Sequence, residues 1–148
     1  LENMVTVSKS AVGISILFIL YLVTFTINLP LIIDSKLSYF NFFATVFYLL
    51  AWTGYGIYLY NKKELAFFLY ALAYWILVMV ASITPNILFI IIFFTPLCGL
   101  RMFFVWLNYP ANLAFENEPY AYLFISIIFV TLSVLAIILI KSNKKLNG

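Results

Sequence analysis

No histidine occurs in this chain, only 9% of its residues are charged, and cysteine and arginine appear once each, as Cys98 and Arg101. Each scarcity excludes something. Without histidine there is no His-ligated haem, no usual zinc site and no histidine-dependent catalytic triad. A single cysteine rules out an internal disulfide and any Cys-x-x-Cys redox pair. So few charges cannot cover a water-facing surface, for which soluble domains use roughly 25% charged residues. The basic stripe with polar or aromatic interleaving that nucleic acid would require is missing too. No metal and no cofactor is expected, and nucleic acid drops out as a partner.

What remains is apolar: 66% of the 148 residues are hydrophobic and 20% aromatic. That balance points to a multi-pass integral membrane protein. Five apolar segments stand out, at about residues 11–33, 40–60, 65–83, 87–107 and 120–140. Each approaches the ~20 residues that carry a helix across ~30 Å of hydrocarbon. Backbone groups in lipid must be satisfied internally, and the period-two alternation of a barrel is absent. The expected fold is therefore all-α, a compact bundle of five helical segments in one polytopic domain over residues 4–148, without a soluble domain. Leu1, Glu2 and Asn3 ahead of Met4 read as a vector-derived extension. The first apolar run is longer than a signal-peptide core and ends in Asn28-Leu29-Pro30, so it reads as a span.

The connections Asp34-Ser35-Lys36, Asn61-Lys62-Lys63-Glu64 and Thr84-Pro85-Asn86 are short enough to make neighbouring segments antiparallel. Only residues 108–119 read as a longer loop. Segment four is interrupted by Thr95-Pro96-Leu97-Cys98-Gly99. The ordinary reading is a full span kinked at proline. The alternative is a re-entrant segment that enters and leaves by one face. The lysines bear on the choice. Positive-inside reasoning wants Lys62 and Lys63 on the same side as the tail residues Lys141, Lys144 and Lys145. Five crossings would separate them, and four would unite them. The tail is expected in the cytoplasm.

Candidate polar positions are few. Arg101, inside an apolar segment, must snorkel to the interface or find a partner. Glu116 and Glu118 are the expected partners, and Asp34 joins them if segment four is re-entrant; together they would form a charged clamp. Cys98, Glu116 and Glu118 are weak catalytic candidates, since no base exists to activate the thiol. Tyr39, Tyr58, Tyr60, Trp106, Tyr109, Tyr120 and Tyr122 fall at segment ends and fit interfacial belts. Tyr48, Trp52 and Tyr55 share one face of segment two by their spacing, and Tyr70 and Tyr74 do the same on segment three. Hydroxyls at that depth need partners, so the two stripes are expected to face each other and to border a ligand or partner surface. Asn28, beside Pro30, is a further polar binding candidate.

No motif ties the chain to a family. The composition favours a small non-enzymatic bundle, of accessory or immunity type, that binds a membrane-protein partner, a lipid or another hydrophobic ligand. An oligomeric transporter or channel, with residues 95–101 lining its path, is the alternative, and a membrane enzyme acting on a lipid is a second. Membrane lipids, a membrane-protein partner and further copies of the chain are the expected partners.

Overall fold

The computed structural model describes residues 8–34, 38–84, 87–106 and 111–146, with backbone only for residues 33, 34, 89, 104, 111–118 and 144–146. Among the described residues the fold is all-α. It comprises α1 (Lys9–Asp34), α2 (Tyr39–Asn61), α3 (Leu65–Ile83), α4 (Ile87–Phe94), a 3-10 turn (Thr95–Leu100), α5 (Arg101–Trp106) and α6 (Ala111–Leu146). Four helices are long and apolar enough to cross a membrane: Lys9–Ile32, Tyr39–Asn61, Leu65–Ile83 and Pro119–Asn143. The protein is an integral membrane bundle.

The four spans alternate in direction, so the bundle has two distinguishable ends. At one end Ser10 of α1 donates its hydroxyl proton to the Glu64 carboxylate across 2.7 Å, holding the start of α1 against the α2–α3 turn. That turn closes with the N–H of Glu64 on the Leu59 carbonyl and the N–H of Lys63 on the Tyr60 carbonyl. This is a Schellman cap, with Lys63 at φ 56° in the left-handed position usually given to glycine. The tight cap fixes α2 and α3 as antiparallel neighbours. Lys9, Lys62 and Lys63 lie at this end, and α6 finishes here with its lysine-bearing last turn. We call it the lysine end.

Segment four does not cross. Contacts along it report its depth. Tyr21, midway along α1, donates to the Ile92 carbonyl at 2.8 Å, and Phe93 packs on Tyr74, the central residue of α3. From there the chain turns back. The Pro96 carbonyl meets Asn28, nearer the end of α1, and Arg101 meets the Leu31 carbonyl in its last turn. Trp106 finishes against Tyr39 and Phe42 at the start of α2. The segment therefore enters and leaves at the end opposite the lysines. The full-span reading is replaced by a re-entrant hairpin with α4 as the ingoing arm and the 3-10 turn plus α5 as the return.

The physical reason lies at the turn. Pro96 removes a backbone donor, and Gly99 lets the returning arm press onto α2. A Cβ at Gly99 would lie 2.6 Å from the Asn41 carbonyl carbon and closer still to the Asn41 oxygen and the Thr45 hydroxyl. No other residue type fits that approach.

The expected loop at residues 108–119 is also corrected. Helix α6 begins at Ala111 and runs unbroken through Pro119, 36 residues in all. At ~1.5 Å per residue that is roughly 54 Å, well beyond the hydrocarbon core, so its first turns stand outside it. Water there can satisfy the carbonyl that Pro119 leaves without a helical donor. Tyr122, expected in an interfacial belt, is instead fully buried with its ring against Phe94 at 4.8 Å. Helix α6 packs along α3, with Trp75 and Phe129 stacked at 4.2 Å.

Candidate functional site

Two groups of polar side chains lie inside the bundle, and they do different things. The first is a knot around the re-entrant turn. Asn28, fully buried on α1, donates from Nδ2 to Thr45 Oγ1 at 2.9 Å and to the Pro96 carbonyl at 3.2 Å. Its Oδ1 accepts from Asn41 Nδ2 at 3.1 Å. Asn41 also donates to the Ile27 carbonyl and accepts from Ser38, while Thr45 donates to Pro96. Every amide proton of Asn28 and Asn41 is used. Thr95 closes on the Ile91 carbonyl of its own segment. Satisfied networks of this kind fix a geometry, so Asn28 serves the hairpin.

Arg101 belongs to the same end. Its Nη1 donates to the Leu31 carbonyl at 3.2 Å, and Leu31 lies in the last turn of α1, where carbonyls lack intrahelical donors. A cation there also meets the negative end of the helix dipole. The expected acidic partners Asp34, Glu116 and Glu118 have side chains outside the described residues. Their backbone positions all fall at this end, Asp34 closing α1 and the two glutamates in the first turns of α6. Cys98 is buried at 2% exposure inside the turn, where neither water nor substrate has access. Among the described residues no cluster of His, Cys, Asp or Glu is grouped to hold a metal ion.

The second group is the aromatic one, at mid-depth. Trp52 of α2 stacks against Tyr74 of α3 at 5.1 Å and 15°, and lies parallel to Tyr70 at 6.4 Å and 6°. Tyr48 meets Trp52 edge-on and donates its hydroxyl proton to Tyr74 at 2.9 Å. The structure thus brings Tyr48, Trp52, Tyr70 and Tyr74 together. Tyr55 is not with them. Its ring lies near Gly13 of α1, although seven residues bring position 55 back to within about 20° of position 48, some two turns further along the helix. The sequence stripes also missed Tyr21, Phe18 and Phe93, which complete the wall from α1 and α4. Only the re-entrant path of α4 places Phe93 there, and nothing in the local sequence marks it.

These side chains line an open slot of about 210 Å³. Three of its lining residues, Phe18, Tyr70 and Ile92, are exposed on the outer surface. On the far side of Trp52 lies a second, mostly apolar cleft of about 350 Å³ between α2, α3 and α6. Trp52 is the partition between the two.

The fold and site together define a class: a four-span α-helical membrane bundle with a re-entrant hairpin and an aromatic slot at its midplane. In comparison with known proteins the chain matches no family model, no curated protein and no solved structure.

Proposed function

We propose that this protein is a non-enzymatic membrane bundle that binds a small hydrophobic ligand taken from the bilayer into the aromatic slot. One observation carries the reading: a ring-lined cavity at mid-depth with its mouth on the lipid-facing surface. Pockets of this kind combine apolar walls with a few polar groups that orient a ligand. A transport path finds less support, because the Pro96 carbonyl of the re-entrant turn is taken by Asn28 and Thr45 and the Thr95 hydroxyl is spent on the Ile91 carbonyl. An enzymatic role lacks an accessible nucleophile in Cys98.

Ile92→Trp tests the binding role, since it obstructs the mouth from an exposed position. Protein purified in mild detergent should carry an apolar molecule in near-stoichiometric amount, recovered by solvent extraction and mass spectrometry. The variant should lose most of it while remaining folded and monodisperse. Equal recovery from both proteins defeats the reading.

We also propose that the lysine end faces the cytoplasm. The re-entrant path puts Lys9, Lys62 and Lys63 with the lysine-bearing tail, and leaves Asp34, Glu116 and Glu118 at the other end, with Lys36 in the adjoining connection. That asymmetry follows the positive-inside rule with four crossings. In a Cys98→Ala background, a cysteine at Asn143 should react with an impermeant maleimide only after the membrane is opened. A cysteine at Asn117 should react in intact cells. The reverse pattern inverts the orientation.

A further inference from the structure

We infer that the ligand of the aromatic slot is a quinone, a planar ring bearing carbonyl acceptors, with its apolar tail leaving through the lateral mouth. The inference rests on the binding role proposed above and deepens it. Three hydrogen-bond donors carry it. The indole N–H of Trp52, whose side chain is 4% exposed, makes no hydrogen bond among the described residues, although it lies close to the Tyr48 hydroxyl. Tyr48 spends its proton on Tyr74, and the Tyr74 proton has no acceptor among the described residues. The Tyr70 hydroxyl, one turn nearer the lysine end and on a residue exposed at the outer surface, has none either.

Depth makes these donors informative. Tyr74 is the central residue of the 19-residue helix α3, ~13 Å from either end at ~1.5 Å per residue. Water is absent at that level, and a buried donor left without an acceptor is costly. Tyrosines packed only for bulk would be served as well by phenylalanine, of which the chain has 16. The surplus of donors calls for a ligand rich in acceptors. A phosphate or carboxylate headgroup is excluded at mid-depth by the cost of burying its charge. A neutral molecule with carbonyls on a flat ring meets both demands. It stacks on parallel aromatic faces and accepts from the N–H and O–H groups at their edges.

Size agrees. An apolar cavity of ~150 Å³ holds one benzene ring, so a slot of about 210 Å³ admits a ring system and excludes a full tail. The tail would lie outside, against Phe18 and Ile92.

The test uses the intact protein in nanodiscs, titrated with menadione and, separately, with methylnaphthalene, the same ring system without its carbonyls. The readout is tryptophan quenching above that of a Trp52→Phe variant, in which Trp75 and Trp106 report collisional background. For methylnaphthalene, which quenches weakly, competition against menadione supplies the reading. Menadione should saturate, and Tyr70→Phe and Tyr74→Phe should each raise its half-saturating concentration roughly three- to tenfold, the weight of one hydrogen bond. Methylnaphthalene should compete at least about tenfold more weakly and respond to neither substitution. If both compounds bind alike, or the tyrosine variants leave menadione unchanged, the quinone assignment is overturned while the binding role stands. If menadione does not saturate, the quinone assignment is overturned, and the binding role stands or falls on the recovery of bound molecule from the parent and Ile92→Trp proteins. The two-compound comparison on the unaltered chain decides the question even should a tyrosine variant fold poorly.

Discussion

Gly99→Ala should cost more stability than any other single methyl group added to this protein. The extra Cβ falls against the backbone carbonyl of Asn41 on α2 and the Thr45 hydroxyl, not against the tip of a flexible side chain. Overpacking a core costs ~1–3 kcal/mol when side chains can shift. Here the neighbour is the backbone of a helix held from both sides, so a loss of ~3 kcal/mol or more is expected. The returning arm must lift, and the bonds from Asn28 and Thr45 to the Pro96 carbonyl go with it. In dodecyl maltoside the variant should melt well below the parent, and Gly99→Val should give no monodisperse protein. Gly54 is the matched control, since a Cβ there meets nothing within 4 Å. Gly54→Ala should be neutral or slightly stabilising, because alanine is the better helix former by ~1 kcal/mol. Equal melting of the Gly99→Ala and Gly54→Ala proteins would show that the hairpin does not press on α2 as described.

The second large effect is expected at Asn28. Its carboxamide makes three hydrogen bonds from a fully buried position, linking α1 to α2 and to the re-entrant turn. Interhelical hydrogen bonds in membranes average only ~0.6 kcal/mol each, which alone gives a loss of roughly 2 kcal/mol for Asn28→Ala. Leaving the Asn41 amide short of an acceptor adds to that figure. Thr45→Val should cost about half as much, since valine keeps the volume and the Asn28 amide retains the Pro96 carbonyl. Because the two residues share that carbonyl, the double variant should cost less than the sum, with a coupling of about 1 kcal/mol. Unfolding titrations of the four proteins measure it. Strict additivity, or an Asn28→Ala loss under about 0.5 kcal/mol, would mean the knot is incidental.

The four spans were readable because twenty-residue apolar runs have few other fates in a chain with so little charge. The hairpin was readable only indirectly. Thr95-Pro96 and Gly99 break a helix equally in a kinked span and in a re-entrant one, so local chemistry cannot choose. The lysines could, since only an even number of crossings gathers Lys62, Lys63 and the tail lysines at one end. The partners of Asn28, namely Asn41, Thr45 and Pro96, are 13 to 68 positions away in the chain and could not be read from it. Such pairings follow from the fold and leave no spacing signature. The aromatic stripes were legible as period and only partly as geometry. Four of the five residues converge, and the fifth, Tyr55, turns toward α1. Residues 111–119 were misread as loop because their polar side chains and Pro119 argue against a buried helix, whereas both cost little where water reaches the helix.

The hairpin's contacts also carry a direction in time. Tyr21, Asn28, Leu31, Asn41, Thr45 and Tyr74 all precede it in the chain, and among its described ring contacts only Tyr122 follows. Chains emerge N-terminus first. By the time Pro96 leaves the ribosome, nearly every group that will receive it has already been made. The re-entrant turn therefore enters a prepared receptor, and α6 arrives afterwards to close the bundle over it.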